Sequence, residues 1–281
     1  MVVLFGSAYA MAGTWTYFNA PGLYETYPYG IDGDNIVGKY HGPSGLHSFL
    51  YDGSSWTILD APGATWTEAR GIDGDNIVGY YDDTSSWHGF LYDGSTWNTL
   101  DVSGTSRTEA HGISVSNIVG YYDASGYDHG FLYDGSTWTT LIAPGETNTR
   151  LLDIDGSNIV GYYWDSDGFS RSFLYDGTNW TILDMPGAIR TEAFGIDGDN
   201  IIGSYEDPSG YHHGFLYDGS TWTTLNAPEA IMTFANGISG DTIVGEYMDG
   251  SGTHGFIYVI PEPATILLLG LGAVMLRRKR R

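Results

Sequence analysis

Three glutamates of this sequence occupy one position of a unit that recurs six times along the chain. Two carboxylates at a suitable separation perform glycoside hydrolysis. A position that varies between otherwise similar copies is also typical of a ligand site near a symmetry axis. We therefore predict a candidate axial ligand site at Glu68, Glu109 and Glu192, where the other copies have Tyr27, Arg150 and Phe234. The alternative is that these glutamates are simply solvated.

Aromatic and acidic residues are mixed in three loops of the repeat. Aromatic faces with polar edges suit carbohydrate, and residues in loops vary without disturbing a scaffold. The loops therefore predict contact with carbohydrate, such as exopolysaccharide, although tyrosines in strands more often pack. They are Tyr80-Tyr81-Asp82-Asp83, Tyr121-Tyr122-Asp123 and Tyr162-Tyr163-Trp164-Asp165.

Five histidines share another repeat position, and the sixth copy has Arg171 there. Such a set could bind a metal or respond to pH. Equivalent positions of different repeats lie far apart unless they face a common axis. We therefore favour a role in the packing and hydrogen bonding of each repeat, and we predict no metal site. The histidines are His47, His88, His129, His213 and His254.

Short acidic turns resemble fragments of calcium loops. Ca²⁺ takes about six to eight oxygen ligands, of which one turn offers only a part, and the distal Glu of an EF-hand is absent from the sequence. Asp-Gly pairs favour hairpin turns because they readily take positive φ. We predict hairpins and no cofactor, with Ca²⁺ as the alternative. The turns are Asp32-Gly33-Asp34-Asn35, Asp73-Gly74-Asp75-Asn76 and Asp197-Gly198-Asp199-Asn200.

The repeat is marked by a Phe in every copy, and successive Phe residues are 41 or 42 positions apart. Each copy also has a Trp segment, an Ile/Val-Gly segment and three tight connections, which indicates four strands. A period of about 40–45 residues with several strands is that of a propeller blade. We predict an all-β fold, a six-bladed β-propeller of four-stranded blades. The Phe positions are 49, 90, 131, 173, 215 and 256.

The ends of the chain predict how the ring closes. A lone Trp segment, Thr14 to Phe18, precedes the first full copy, and the last copy stops after Tyr258 without its own Trp segment. Pairing the N-terminal strand with the C-terminal strand completes the last blade and removes exposed edges. An open β-solenoid is the alternative, but it gives no reason for complementary fragments.

Charge is distributed unevenly. The sequence has 34 Asp and Glu against 11 Lys and Arg, and five basic residues end the chain. Residues 1–276 therefore keep six basic side chains against all 34 acids, a balance of −28. Such a surface repels phosphate backbones, so nucleic acid is excluded as a partner. There is no cysteine, hence no disulfide or thiolate chemistry.

The C-terminus has three parts in strict order. Pro261, Glu262 and Pro263 break any preceding strand because proline lacks a ladder donor. Residues 264–276 form an uncharged apolar run, which predicts a hydrophobic membrane helix. A basic stop follows, which the positive-inside rule keeps in the cytoplasm, so that residues 1–260 lie outside. It consists of Arg277, Arg278, Lys279, Arg280 and Arg281.

This tail resembles the PEP-CTERM sorting signal of Gram-negative bacteria. The resemblance implies that an exosortase in the inner membrane recognises the tail and removes it, leaving the protein at the cell surface or in the extracellular space. The alternative is an ordinary anchor that is never cleaved. At the other end, Ala8 and Ala10 form a small-x-small signal-peptidase pattern. We thus predict a signal remnant (1–10), a propeller (11–260) and a sorting tail (261–281).

The repeat is also similar to the HAF-type extracellular repeats that accompany such tails. The matching pieces are Gly71-Ile72-Asp73, Ile77-Val78-Gly79 and His88-Gly89-Phe90. This resemblance implies architecture and location, not an activity. We therefore predict a non-enzymatic surface or matrix protein whose propeller binds or scaffolds exopolysaccharide. The alternative is a secreted glycan-active enzyme, a hydrolase or lyase, with an acidic axial site.

Overall fold

The computed structural model describes residues 13–21, 25–43 and 45–261. Within these ranges all regular structure is β, arranged in six antiparallel sheets of four strands each. The prediction of an all-β, six-bladed propeller is confirmed. No helix of the described part is long and apolar enough to cross a membrane. The predicted membrane helix, the basic stop, Glu262 and Pro263, and Ala8 and Ala10 lie outside the described residues.

In blades 1 to 5 the strands follow chain order from the axis to the circumference. Strand β1 (Thr14–Phe18) opens the chain and belongs to the last blade. Blade 1 consists of β2 (Glu25–Asp32), β3 (Asn35–Gly42), β4 (Gly45–Tyr51) and β5 (Trp56–Ile58). Blade 2 consists of β6 (Trp66–Asp73), β7 (Asn76–Asp82), β8 (Trp87–Tyr92) and β9 (Trp97–Leu100). Blade 3 consists of β10 (Thr108–Ser114), β11 (Asn117–Ala124), β12 (Tyr127–Tyr133) and β13 (Trp138–Leu141).

The second half of the ring repeats this order. Blade 4 consists of β14 (Thr149–Asp155), β15 (Asn158–Trp164), β16 (Ser170–Tyr175) and β17 (Trp180–Ile182). Blade 5 consists of β18 (Arg190–Asp197), β19 (Asn200–Glu206), β20 (His212–Tyr217) and β21 (Trp222–Leu225). Blade 6 consists of β22 (Met232–Ser239), β23 (Thr242–Asp249), β24 (Gly252–Val259) and β1.

The ring closes through its two ends, as the phasing of the repeats predicts. Strand β1 pairs antiparallel with β24, with Trp15 opposite Tyr258 and Phe18 opposite Gly255. The first strand of the chain thereby becomes the outer strand of blade 6. An open solenoid is excluded.

A Trp on each outer strand packs against the repeat Phe of its own blade. Trp97 and Phe90 have ring centroids 4.9 Å apart, and Phe90 is buried. The neighbouring strand has Gly79 at the pleat below this ring. A Cβ added to Gly79 would lie 2.0 Å from the Glu68 carbonyl oxygen and 2.9 Å from the Phe90 ring. The Ile/Val-Gly motif is therefore required by close packing of two strands and an aromatic ring.

A buried threonine on each inner strand fixes the connection from the preceding blade. In blade 2, the Ala61 amide donates to Thr67 Oγ1 at 2.9 Å, and Thr67 is fully buried. This hydrogen bond satisfies a backbone donor in a loop that has no ladder partner. The pattern recurs at all six joints, where the accepting threonines are Thr26, Thr67, Thr108, Thr149, Thr191 and Thr233.

Candidate functional site

Every inner strand carries a β-bulge, and the bulged residue turns toward the axis. In blade 2 the register shifts between Ala69 and Gly71, so Arg70 has no ladder partner. Bulges re-aim side chains in this way. The six bulged residues, which we call the axial ring, all border a cavity of about 290 Å³ on the axis. They are Tyr29, Arg70, His111, Leu152, Phe194 and Asn236.

The axial ring differs in every blade, although the residues around it are nearly constant. Sequence reasoning missed this ring. A signal was present, because the variable residue stands between a small residue and Gly in most copies, as in Ala69-Arg70-Gly71 and Ala110-His111-Gly112. A repeat period alone does not reveal which strand position a bulge exposes.

The predicted glutamate position lies beside the axial ring, but the glutamates themselves do not border the cavity. At this position, Arg150 and Phe234 reach the cavity instead. Glu192 is half-buried in β18. The use of Glu68, Glu109 and Glu192 as ligand contacts therefore stays a prediction, and the structure describes what holds two of them.

Glu68 is buried among basic and phenolic groups. It forms an ion pair with Arg70, accepts from Lys39 Nζ at 2.9 Å and accepts from the Tyr80 hydroxyl at 3.0 Å. Burial alone would raise the pKa of Glu68, but the Arg70 and Lys39 charges lower it below its ordinary value. Glu68 is therefore ionised at neutral pH, and it holds two cations beside the cavity.

Glu109 is likewise buried and paired with a basic residue, Arg107, in blade 3. It accepts from the Tyr121 hydroxyl and lies 3.4 Å from His111 Nε2. Burial would raise its pKa, but the contacts with His111 and Tyr121 and the charge of Arg107 lower it below its ordinary value. The two glutamates belong to separate clusters, and neither is a proton donor at neutral pH.

Basic residues converge on this end of the axis. Lys39, Arg70, Arg107 and Arg150 are four of the six basic residues of residues 1–276. The Arg70 guanidinium lies 3.9 Å from the centre of the Tyr29 ring, and Arg150 lies 4.4 Å from that of Tyr121. Such stacking fixes the planes of both guanidinium groups.

A buried aspartate links two of these arginines. Asp128 forms an ion pair with Arg107 and accepts from Arg150 Nε at 2.7 Å. Arg150 also donates to the Tyr162 hydroxyl at 3.2 Å. Arg150 is therefore held by an aspartate, a phenol and an aromatic face, with its side chain one-quarter exposed.

His111 lies among aromatic rings in the axial ring. Its imidazole stacks on Tyr80 and Tyr121 at centroid distances of 5.8 and 5.0 Å. Burial lowers the pKa of His111, and the charges of Arg70 and Arg150 lower it further, against the opposing effect of Glu109. The imidazole is therefore neutral at neutral pH and offers both a donor and an acceptor.

Glu246 and Asn236 form the wall in blade 6. Asn236 Nδ2 donates to the Pro28 carbonyl oxygen at 2.9 Å and also to Glu246. Burial raises the pKa of Glu246 to about 7, despite the hydrogen bond from Asn236 and the nearby charges of Arg70 and Lys39. Of the acidic side chains in the described ranges, it alone borders the axial cavity.

An open groove of about 810 Å³ runs between blades 3 and 4 on the same face. Arg107, Asp128 and Trp164 line it, and Arg150 borders both this groove and the axial cavity. The sequence predicts Trp164 in a loop, but it is the last residue of β15, and its ring centre is 4.9 Å from the Arg150 guanidinium. The groove and the cavity are thus connected through one arginine.

The tyrosine pairs of the predicted loops lie in strands β7, β11 and β15, and the two rings of a pair lie on opposite faces of the strand. Tyr121 borders the axial cavity. Tyr122, its neighbour on β11, points the other way, and its hydroxyl lies 2.9 Å from Thr140 Oγ1. Alternation along a strand explains the division. Tyr162 likewise borders the cavity, whereas Tyr80 does not border it and stacks on His111 instead.

The acidic turns lie at the opposite end of the axis. There, the first residue of each turn accepts a hydrogen bond from the turn of the next blade, as from the Gly74 amide to Asp32 Oδ2 at 2.8 Å. Six such bonds form a closed belt. Its acceptors are Asp32, Asp73, Ser114, Asp155, Asp197 and Ser239.

The prediction of hairpin turns is confirmed by strand pairs that flank them, such as Asp73 opposite Asn76. Within the described ranges no group of three or more His, Cys, Asp or Glu is placed to hold a metal ion. Calcium binding stays an untested alternative, and the Asp side chains of the belt already serve as backbone acceptors.

The recurring histidines act within their own blades, as predicted. His47 Nδ1 lies 2.6 Å from Asp60 Oδ2, and His88 Nδ1 lies 2.8 Å from Asp101 Oδ2. His213 contacts Asn226 in the same way at 2.9 Å. Each of these three contacts joins the third strand to the segment that follows the outer strand, so these histidines hold the ends of blades 1, 2 and 5 in place.

Comparison with solved structures supports the fold and nothing finer. The protein described as TolB of Agrobacterium tumefaciens is 16% identical with a TM-score of 0.60, over 87% of this chain and 93% of that chain. The propeller domain of the Trilobed protease of Pyrococcus furiosus is 7% identical with a TM-score of 0.52, over 85% and 94%. A Trypanosoma rangeli sialidase in complex with 2,3-difluorosialic acid is 10% identical with a TM-score of 0.54, over 92% of this chain and 59% of that chain. Curated protein sequences provide no match.

These likenesses define the class of protein, a six-bladed β-propeller, and the same fold serves an enzyme such as the sialidase as well as other proteins. The tail is more specific. Residues 259–281 match the family described as the PEP-CTERM protein-sorting motif. The chain therefore carries a PEP-CTERM sorting signal, which implies export and processing by an exosortase. The predicted resemblance of the tail is confirmed.

Proposed function

We propose that this is an exosortase-sorted protein of the cell surface or extracellular matrix, and that its propeller binds exopolysaccharide at the axial cavity. The sorting motif at residues 259–281 supports the location. Pro261, Glu262 and Pro263 would be the recognition element, and the basic stop would hold the tail at the inner membrane until the exosortase acts. Many copies of the protein that each bind exopolysaccharide outside the cell would together act as a scaffold for it.

One observation carries the binding proposal. The axial cavity is walled by aromatic rings that also present polar edges, such as Tyr121 and Tyr162, next to Asn236 and His111. Sugars combine apolar faces with hydroxyl groups, so they require rings for stacking and fixed donors and acceptors for orientation. A volume of about 290 Å³ suits one sugar unit.

A glycan-active enzyme is the second candidate, because one observation favours it. Glu246 borders the cavity with a pKa raised to about 7, which suits a general acid. Glycoside hydrolysis by the usual route needs a second carboxyl group across the sugar. Glu68 and Glu109 are ionised and paired with cations, and neither borders the cavity. Binding without turnover is therefore the better-supported function.

A glycan-array screen tests the proposal. The full-length protein, kept in mild detergent because of its tail, is applied with Ca²⁺ and again with a chelator. We expect a restricted set of bound saccharides that is the same in both conditions. An empty array in both conditions would overturn the proposal. Release of new reducing ends from a bound saccharide would favour the enzyme instead.

A further inference from the structure

The basic residues of the propeller are concentrated at one place on a strongly acidic chain. Residues 1–276 have a balance of −28, yet Lys39, Arg70, Arg107 and Arg150 all lie at or beside the axial cavity. Their acidic partners are Glu68, Glu109 and Asp128. These four cations face three ionised carboxylates, and Glu246, whose pKa burial raises to about 7, is a further acid at the cavity. Cations are therefore far less outnumbered by acids here than over residues 1–276 as a whole.

From this, and resting on the proposed function, we infer that the saccharide is acidic. The axial cavity takes a terminal sugar that bears a carboxylate, as a uronic acid does, and Arg70 and Arg150 recognise that carboxylate. The groove between blades 3 and 4 carries the next sugars of the chain.

The two arginines are prepared for this contact. Each is stacked on a tyrosine face, with Arg70 over Tyr29 and Arg150 over Tyr121. Each also borders the cavity. A guanidinium held in a fixed plane binds a carboxylate through two parallel hydrogen bonds at little cost in side-chain entropy. His111 stands in the blade between them and supplies an uncharged donor for a neighbouring hydroxyl.

The groove gives the site a direction. Arg150 borders both the axial cavity and the groove, whose volume of about 810 Å³ exceeds that of the cavity. Trp164 offers an aromatic face there, adjacent to Arg107. A saccharide whose terminal sugar occupies the cavity would therefore lie with its remaining sugars along blades 3 and 4. Asp123, Glu146 and Asp165 also line the groove, so charge attraction is expected at the terminal carboxylate that meets Arg70 and Arg150 and not along the groove.

Calorimetric titration of the full-length protein in mild detergent tests the inference with two probes. The first is an oligogalacturonate, and the second is the same oligosaccharide after reduction of its carboxyl groups to alcohols. We expect the acidic probe to bind at least about tenfold more tightly. A hydrogen bond to a charged group is stronger than a neutral one by an amount that corresponds to about a tenfold change in Kd. Higher salt should weaken the binding of the acidic probe and leave the binding of the reduced probe unchanged.

Three variants separate recognition from folding. Arg150→Gln should lose the preference for the acidic probe, and Arg150→Lys, which keeps the charge beside Asp128, should retain part of it. Arg190→Gln is the control, because Arg190 pairs with Glu206 and borders neither the cavity nor the groove. It should bind as the wild type does. Thermal unfolding of all three shows whether the propeller is intact.

The outcomes are distinct. Equal binding of both probes would overturn the acidic-sugar inference and leave saccharide binding standing. Loss of acidic binding in Arg190→Gln to the same extent as in Arg150→Gln would overturn it too, because bulk charge would then explain the preference. Binding of neither probe, with neutral glycans bound on the array, overturns the inference alone. No saccharide bound anywhere overturns both.

Discussion

Trp15 lies with its ring centroid 4.9 Å from that of Phe256, at the opposite end of the propeller sequence. The pair has the same separation as Trp97 and Phe90 within blade 2. The N-terminal strand therefore contributes to blade 6 the aromatic contact that every other blade makes with its own residues. The ring is therefore closed by aromatic packing as well as by the hydrogen bonds between β1 and β24.

We predict that Trp15→Ala lowers the free energy of unfolding by about 2–4 kcal/mol, since a large, partly buried ring is lost. Trp97→Ala is the matched control and should cost about the same. Urea unfolding followed by tryptophan fluorescence or circular dichroism measures both. A neutral Trp15→Ala beside a costly Trp97→Ala would show that β1 does not close the ring.

The belt at the acidic end predicts a difference between two aspartates of one turn. Asp197 accepts from the Gly240 amide of the next blade, whereas Asp199 is exposed. Asp197→Ala should lower stability by about 1–2 kcal/mol because a backbone donor loses a charged acceptor, and Asp199→Ala should be close to neutral. Thermal melts in Ca²⁺ and in a chelator check this. Equal, calcium-dependent losses in both variants would favour a calcium loop.

Val115 is the one residue at its turn position that is not glycine. Its φ is 58°, beside values of 55° to 59° for the glycines of the other five blades. A β-branched side chain in this region is strained. Val115→Gly should raise stability by about 1 kcal/mol, or about 2–4 °C in Tm. Val115→Ala should gain less, because it removes the branch and keeps the Cβ. A loss on Val115→Gly would contradict this.

The fold could be predicted from the sequence because its determinants are local and recur six times. The repeat Phe, the Ile/Val-Gly motif and the Asp-Gly turns set strand number and order, and the Trp15 segment has only one place to pair. Each of these features is visible within one period.

The site could be predicted only in part. Variation between the copies predicts an axial ligand site at Glu68, but the bulge at Arg70, two residues later, brings Arg70 to the cavity and leaves Glu68 to neutralise it. The ion pair of Lys39 with Glu68 joins different blades. No alignment of repeats reveals such a contact, because it depends on which blades are neighbours and on how far each side chain reaches.

Glu246 gives the protein a specific pH dependence. Burial raises its pKa from 4.5 to about 7. The hydrogen bond from Asn236 and the charges of Arg70 and Lys39 lower the pKa, whereas the charge of Glu68 raises it. A carboxyl group whose pKa is higher in the folded state stabilises the fold below its unfolded pKa, and this contribution is lost as pH rises through about 7. Stability should therefore fall between about pH 5 and 8.

Glu246→Gln should remove this part of the pH dependence and make the protein more stable than the wild type at pH 8, on the order of 2 kcal/mol. Asp153, whose pKa burial also raises to about 7, titrates in the same range and is unchanged in both proteins. The difference between the urea midpoints of the wild type and Glu246→Gln, measured at pH 5 and at pH 8, therefore reports the contribution of Glu246 alone. Parallel pH profiles would contradict the assignment.

If saccharide binds in the axial cavity, a side chain that fills the cavity must weaken binding. Leu152 is a half-buried member of the axial ring, so Leu152→Trp places an indole in the cavity without removing a polar group. Ile58→Trp adds the same ring on an exposed outer strand. Calorimetry with the saccharide that binds best on the array should show at least about a tenfold weaker Kd for Leu152→Trp and an unchanged Kd for Ile58→Trp. An unchanged Kd for a folded Leu152→Trp protein would show that saccharide does not bind in the axial cavity.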